Sequence, residues 1–275
     1  MSSEKILITG SRGFIGSNLL GAAQLGCQDI ETINEEFYDD PNWINTLVNW
    51  LDKKRPTCIF HIGACSDTLN QDVEYMMLRN YQSTVTLADW AFKNSCKLVY
   101  SSSAAVYGTN NLFPSNLYGW SKYVAENYVI ARGGIALRYF NVYGPGEEHK
   151  GRMSSFVYQA YNMSRKKIDV LLFPGFPKRD FVYIKDVVAA NIFALEHFYD
   201  LCGASYEVGT GKASTFESVL NLSGIPFEYA DESDVPLGYQ FFTCSNSAKW
   251  MDGWKPEFKL EQGIHDYLTY LGETT

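Results

Sequence analysis

The chain has 275 residues, 46% of them hydrophobic and 20% charged, which is ordinary for a folded protein with a sizeable core. Its net charge of −8 argues against general binding of nucleic acid or membrane surfaces, because both need a basic face. The sequence shows no apolar run of membrane-helix length, no signal-peptide pattern, no CxxC pair and no metal-ligand spacing. We therefore expect a cytoplasmic α/β protein with reduced thiols, no metal site, and neither nucleic acid nor membrane as a partner.

Short apolar runs alternate with longer helical patterns in the first half of the chain. The runs predict buried strands at 6–9, about 30–33, 57–62, 97–101 and 135–139. Helices are predicted between them at 14–25, about 42–54, 73–94 and 118–131. Such repetition predicts right-handed crossovers and a Rossmann-like, doubly wound parallel sheet.

The second half is less regular. Helices are predicted at about 153–165, 184–199 and 260–271, and short strands at 170–172 and 206–208. No linker separates the halves. We predict a Rossmann domain over residues 1–150 and a smaller C-terminal lobe over residues 151–275, interleaved with it and sharing one core.

A glycine-rich loop follows the first strand and opens the first helix. In such loops the first glycine permits a tight turn, the second lets the backbone approach a pyrophosphate, and the third lets the helix pack on the strand. The helix N-terminus then favours the anion. We predict that this loop binds a dinucleotide through Gly10, Arg12, Gly13, Phe14, Ile15 and Gly16.

Two positions bear on the choice of dinucleotide. Arg12 lies where a guanidinium can pair with a 2′-phosphate, although a solvated loop charge is the alternative. Selection of NAD normally uses a carboxylate at the end of the second strand, where this chain has the neutral Asn34. Glu35 and Glu36 follow directly, so a shift of one residue would place an acid there. The sequence favours NADP, with Asn34 as a further cofactor contact, and leaves NAD open.

A Ser-rich run ends the fourth predicted strand at Ser103, and Tyr118 and Lys122 lie four residues apart on one helix face. A nearby ammonium and a nicotinamide cation favour phenolate, so we expect the Tyr118 pKa to be lowered. The phenolate can then take a proton from a substrate hydroxyl while hydride leaves the same carbon. Taken alone, Tyr118 and Lys122 also fit an ordinary surface pair.

These motifs, TGSRGFIG, SSSAAVYG, YGWSK and RYFNVYGP, together resemble the extended short-chain dehydrogenase/reductases that act on nucleotide-diphosphate sugars, the NAD-dependent epimerase/dehydratase family. The resemblance implies that Tyr118 is the acid/base, that Lys122 binds the nicotinamide ribose and tunes Tyr118, and that Ser103 holds the substrate hydroxyl. It also implies that residues 1–150 bind NAD(P), that residues 151–275 bind the substrate, and that the chain self-associates.

Further stretches at residues 63–68, 148–155, 178–184 and 239–243 resemble, within that family, the ADP-glycero-manno-heptose 6-epimerases. This resemblance implies transient oxidation at C6 with tightly bound NAD(P), followed by hydride return to the other face. Lys150 would be the second acid/base, unless it is a phosphate-binding or solvated lysine. Arg179 would contact the substrate diphosphate, unless it pairs with Asp180. Asn141 and Phe242 would line the substrate site.

The chain is shorter than is usual for the family. Little room remains between the second and third strands for an adenine-contacting loop, of which Asp39 and Asp40 are the remaining acids. The loop before Tyr118 is also short. We expect differences at the adenosine end and in the sugar, with the catalytic centre unaffected.

Competing hypotheses are another family enzyme (a 4-epimerase, dehydratase or reductase) and a non-catalytic NAD(P) sensor. The run after Ser103 lacks the Asp-Glu pair of 4,6-dehydratases, and a sensor has no use for Tyr118 and Lys122.

Overall fold

The structure, a computed structural model, describes residues 4–24, 26, 29–34, 37–38, 40–109, 112–236 and 239–273. In chain order its strands are β1 (Ile6–Thr9), β2 (Ile30–Ile33), β3 (Cys58–His61), β4 (Lys97–Ser103), β5 (Ile135–Tyr139), β6 (Asn141–Tyr143), β7 (Val170–Leu172), β8 (Lys178–Tyr183), β9 (Ala204–Val208), β10 (Ala213–Thr215) and β11 (Phe227–Tyr229). The helices are α1 (Phe14–Gln24), α2 (Trp43–Lys54), α3 (Val73–Met77), α4 (Ser83–Lys93), α5 (Leu117–Ala131), α6 (Phe156–Arg165), α7 (Ile184–Glu196), α8 (Phe198–Leu201), α9 (Phe216–Ser223) and α10 (Leu260–Glu273).

Six strands form one parallel sheet in the order β2-β1-β3-β4-β5-β9. The predicted doubly wound sheet is therefore confirmed. Its register aligns Thr9 with His61, His61 with Tyr100, and Ser103 with Tyr139. The carboxyl ends of the strands thus meet at one edge, which is where ligands bind in open α/β sheets.

Both faces of the sheet are covered, which explains why its inner strands are apolar at nearly every position. Alternate residues such as Ile8 and Phe60 pack with α1 and α7 on one face. Leu7 and Ile59 pack with α2, α4 and α5 on the other. The first of these cores also takes in residues of α10, so it draws on both halves of the chain.

Smaller sheets lie beyond the main one. β8 is central in a three-stranded sheet, parallel to β6 and antiparallel to β10, and β11 pairs with β7. No helix in the described part of the chain is long and apolar enough to cross a membrane.

Three predicted helix boundaries differ from the structure. The helix predicted over residues 73–94 is divided by a π-helical segment, Leu78–Gln82, between α3 and α4. The helix predicted from Met153 begins at Phe156, because residues 148–153 form a 3₁₀ turn and Ser155 caps α6 by accepting from the Tyr158 N–H. The helix predicted to reach Tyr199 ends at Glu196, and the short α8 follows it.

Candidate active site

The glycine loop is built by close backbone approach. A Cβ atom on Gly16 would lie 2.1 Å from the Gly10 carbonyl oxygen, and one on Gly10 would lie 2.5 Å from Gly63 Cα. Any side chain at either position would push α1 or the segment after β3 away from the loop. The first turn of α1 has no acidic residue, so its positive end is available to an anion.

Asn34 closes the outer side of this loop. Its side-chain oxygen accepts from the Ser11 hydroxyl and from the Arg12 N–H, each at 3.2 Å. The Arg12 side chain is exposed next to it. Glu35, Glu36 and Asp39, the acids considered for the adenosine end, lie outside the described residues. The structure therefore places Arg12 and Asn34 together at the end of β2.

Ser103, Tyr118 and Lys122 converge at the sheet edge. Asn116 caps α5 by accepting from the Gly119 N–H at 2.8 Å, which sets Tyr118 in the first helical turn. A Cβ atom on Gly119 would lie 2.6 Å from the Ala105 carbonyl oxygen, so glycine is needed for α5 to approach the turn after Ser103. Ser103 forms a hydrogen bond with the Tyr118 phenol, and the buried Lys122 amine donates to the Ser101 carbonyl at 2.6 Å.

The electrostatics of Tyr118 differ from the sequence prediction. Burial raises the Tyr118 pKa, and the hydrogen bond from Ser103 only partly opposes that shift. Burial lowers the pKa of Lys122 to about 7, so part of the amine is neutral near neutral pH and its help to a phenolate is reduced. In the protein alone the Tyr118 pKa is therefore raised, because desolvation outweighs the nearby charges, and the lowered pKa expected with a nicotinamide cation stays a prediction.

A buried hydrogen-bond chain that sequence reasoning missed joins the glycine loop to this centre. The Gly63 N–H donates to the Thr9 hydroxyl at 3.0 Å, and that hydroxyl forms a hydrogen bond with His61 Nδ1 at 2.7 Å. The Thr84 hydroxyl donates to the Asn80 carbonyl at 2.7 Å and therefore accepts from His61 Nε2 at 2.9 Å, which leaves Nδ1 to accept from Thr9. Burial, helped by the charge of Lys122, lowers the His61 pKa to about 3, so the ring is neutral.

Asn80 extends this hydrogen-bond chain to α5. Its side-chain nitrogen donates to the Cys65 carbonyl and to the Ser121 hydroxyl, each at 2.9 Å, and Ser121 donates to the Tyr118 carbonyl at 2.7 Å. Asn80 lies in the middle of the π-helical segment, a rare geometry that is frequent at functional sites. Asn80 and Tyr81 belong to a stretch that resembles the family, but spacing along the sequence does not reveal which groups the Asn80 side chain contacts.

Lys150 lies in the 3₁₀ turn over residues 148–153, next to the start of α1. Its Nζ is 5.5 Å from the centre of the Phe14 ring, directly beyond the glycine loop. The side chain is partly buried, and burial lowers its pKa while the charge of Glu147 acts in the opposite direction. Lys150 is thus neither fully solvated nor remote from the glycine loop.

Arg179 is buried in β8 between two rings. Its guanidinium carbon lies 5.4 Å from the ring centres of both Phe216 and Tyr239, and one of its nitrogens donates to the Lys178 carbonyl. Asp180, the alternative partner, instead accepts hydrogen bonds from Thr210, Gly211 and Ser245. Tyr239 lies in the stretch 239–243 that resembles the family, whereas Phe216 is the member of this cluster that sequence reasoning did not single out.

The two weaker candidates lie at the margin of this cluster. Asn141 is exposed at the start of β6 and accepts from the Thr243 hydroxyl at 3.4 Å. Phe242 is 57% exposed and pairs with Lys178 through an isolated β-bridge. An aromatic recess lies beside Arg179, lined by residues that include Phe173, Phe176, Phe216 and Tyr229.

The sequence of residues 6–209 matches the NAD dependent epimerase/dehydratase family. This match covers far more than half of the chain. The chain belongs to this family.

One curated relative and one solved structure agree with that assignment, and a further solved structure shares the fold. The ADP-L-glycero-D-manno-heptose-6-epimerase of Cupriavidus pinatubonensis (strain JMP 134 / LMG 1197) is 34% identical, with 98% of each chain covered. The crystal structure of the Helicobacter pylori enzyme of the same name has a TM-score of 0.84 at 28% identity, covering 98% of this chain and 96% of its own. UDP-glucose 4-epimerase of Thermotoga maritima has a TM-score of 0.83 at 24% identity, covering 98% and 99%, and supports the fold alone.

The alignment to the Cupriavidus relative extends over 329 positions, more than the 275 residues of this chain. The chain therefore lacks segments that this relative carries.

Proposed function

We propose that the chain is a nucleotide-diphosphate-sugar epimerase that inverts C6 of an ADP-glycero-manno-heptose by oxidation and re-reduction. The observation that carries this proposal is the joint placement of Tyr118 with Ser103 at the sheet edge and of Lys150 beside the glycine loop. The two full-length relatives named as ADP-heptose 6-epimerases support the choice of substrate.

The glycine loop fits a dinucleotide. Its glycines leave no room for a Cβ, and the start of α1 presents N–H groups without a competing carboxylate. A nicotinamide dinucleotide held there supplies the hydride acceptor and donor that inversion at a carbinol carbon requires. Lys122, next to Tyr118, would hold its ribose. The exposed Arg12 beside the neutral Asn34 favours NADP over NAD.

Inversion at C6 needs two proton-exchanging groups, because the oxygen lies on opposite sides of the carbon in substrate and product. Tyr118 exchanges a proton with the substrate oxygen when that oxygen lies on one side of C6. Ser103, which is hydrogen-bonded to Tyr118, orients the same oxygen. Lys150 serves the other side, since burial brings its pKa down towards the range in which an amine both gives and takes a proton.

Arg179 anchors the remote end of the substrate. A guanidinium matches phosphate oxygens bidentately, and the rings of Phe216 and Tyr239 hold it in one plane. A local cation of this kind is needed because the chain carries a net charge of −8 and repels a diphosphate at long range.

The test is incubation of the cofactor-loaded protein with ADP-D-glycero-D-manno-heptose, with products separated by chromatography. We expect the L-glycero epimer and no net change in absorbance at the reduced-nicotinamide band. Tyr118→Phe lowers turnover by about 10²–10⁴-fold and leaves bound cofactor unchanged, because one acid/base is lost. Tyr123→Phe, on the same helix, is the matched control and keeps full turnover.

Turnover of a UDP-sugar with the heptose left untouched would reject the substrate and keep the family reaction. Full activity in Tyr118→Phe would reject the catalytic assignment.

A further inference from the structure

Glu147 is a carboxylate that the fold buries completely, at the start of the turn that carries Lys150. Its relative exposure is 0%, and buried carboxylates need hydrogen-bond donors. Its oxygens accept from the Gly144 N–H at 3.2 Å, from the Ser155 N–H, and from the Ser155 hydroxyl at 2.7 Å. These donors stand at the two ends of residues 144–155, so a single side chain ties the segment into a loop.

Lys150 lies inside this closed segment. Its backbone N–H donates to the Glu147 carbonyl at 3.0 Å, and its Nζ reaches to 5.5 Å from the Phe14 ring centre. Glu147 is therefore linked to Lys150 twice, through the turn that orients the side chain and through charge. Burial favours the neutral amine, whereas the Glu147 carboxylate favours the ammonium.

The other titratable groups near the segment differ from Glu147 in placement. Arg152 is largely exposed and forms an ion pair with Asp67 at 2.7 Å. Within the described residues, Glu147 is the acid whose charge raises the Lys150 pKa. The remaining groups are the exposed Glu148 and His149 and the phenols of Tyr158, Tyr267 and Tyr270 from α6 and α10.

We propose that Glu147 is a positioning residue for the reaction: its carboxylate fixes the turn that presents Lys150 and places a negative charge in the same closed segment as the amine. A group that must both give and take a proton needs both forms present near working pH. Burial lowers the Lys150 pKa and the Glu147 charge opposes that shift, so without the charge the pKa would fall further. This inference rests on the role proposed for Lys150 as the second acid/base.

The test measures the Lys150 amine directly, without substrate. Lysines of the full chain are reductively methylated with ¹³C-formaldehyde, the Lys150 resonance is assigned as the one missing in Lys150→Arg, and its shift is followed against pH. Glu147→Gln keeps the size of the side chain and removes the charge. Ser155→Ala removes one hydrogen bond to the same carboxylate and keeps the charge, and Glu147→Asp keeps the charge on a shorter side chain.

We expect the Lys150 midpoint to fall by about one pH unit in Glu147→Gln, the lower end of the effect of a close opposite charge. It should stay near the wild-type value in Ser155→Ala and Glu147→Asp. In the pH–kcat profile on ADP-heptose, the limb that reports the titration of Lys150 should move to lower pH in Glu147→Gln alone.

A Lys150 midpoint that is unchanged in Glu147→Gln, or that falls equally in Ser155→Ala, overturns the proposal. If Glu147→Gln does not fold, the Glu147→Asp variant decides. A Lys150 midpoint at the wild-type value in that variant supports the role of the charge. A Lys150 midpoint lowered by about one pH unit refutes it. Because the titration needs no substrate, it separates this result from failure of the ADP-heptose assignment.

Discussion

His61 is predicted to make the stability of this protein fall in mildly acidic solution. The ring is 1% exposed and is held neutral between Thr9 and Thr84, with its pKa lowered from 6.5 to about 3. A group whose pKa is lower in the folded than in the unfolded chain contributes fully above the unfolded pKa, and its contribution is lost as the pH falls. The affected window therefore runs from about pH 6.5 down to about 3.

The magnitude follows from the proton that the unfolded chain takes up. Each pH unit below 6.5 costs about 1.4 kcal/mol until the folded ring also titrates. Between pH 7.5 and pH 5 the His61 contribution therefore decreases by about 2 kcal/mol.

The perturbation is His61→Asn, which offers an acceptor near the place of Nδ1 but is too short to replace the Nε2 donor to Thr84. Loss of one buried hydrogen bond should cost about 1–3 kcal/mol at pH 7.5. Since the variant has no imidazole to protonate, its deficit relative to wild type should shrink by about 2 kcal/mol at pH 5.

The assay is urea unfolding of both proteins at pH 7.5 and pH 5, with the free energy extrapolated to water. All other titratable groups are the same in both proteins, so their contributions cancel in the difference. A deficit that is the same at both pH values would show that His61 is not held neutral, and would refute the reasoning.

Other predictions concern the two ligand ends. Gly16→Ala should abolish dinucleotide binding in calorimetry, because its Cβ would lie 2.1 Å from the Gly10 carbonyl; Gly21→Ala, with open space in the same helix, is the control and should bind normally. Arg12→Ala should weaken NADP about 10–100-fold and leave NAD unchanged, as expected for a lost charged contact to the 2′-phosphate; equal loss of both would remove the preference for NADP. Arg179→Lys should raise KM for the nucleotide sugar at least about tenfold with a smaller effect on kcat, since an ammonium cannot bind bidentately; an unchanged KM would place the diphosphate elsewhere.

Sequence patterns predicted the main sheet well because its strands are covered on both faces. Four of its strands read as nearly continuous apolar runs, and the bounds of these four and of the weaker strand at 30–33 were predicted to within two residues. β8 could not be found in this way, because it begins Lys178-Arg179-Asp180 and resembles a polar loop. Arg179 and Asp180 are nevertheless buried, since their partners come from residues 210–245, which local sequence does not reveal.

The candidate site was also predictable only where local motifs carry the signal. Local motifs predicted the glycine loop, Tyr118 and Lys122, which the structure brings to one edge of the sheet. Most contacts in the buried chain through His61 and Asn80 join residues 15 to 54 positions apart, so no spacing rule predicts it. The direction of the Tyr118 pKa shift was also beyond sequence, because desolvation depends on how deeply the fold encloses the ring.

The π-helical segment Leu78–Gln82 places a constraint on length in a chain that has become short elsewhere. A π turn accommodates one residue more than the α-helix around it, and each α-helical residue turns the helix by about 100°. Removing any one residue from this segment would let α3 and α4 merge into a regular helix. Asn80 would then be rotated away from its hydrogen-bond partners. A single deletion here would therefore disconnect α5 from the glycine loop.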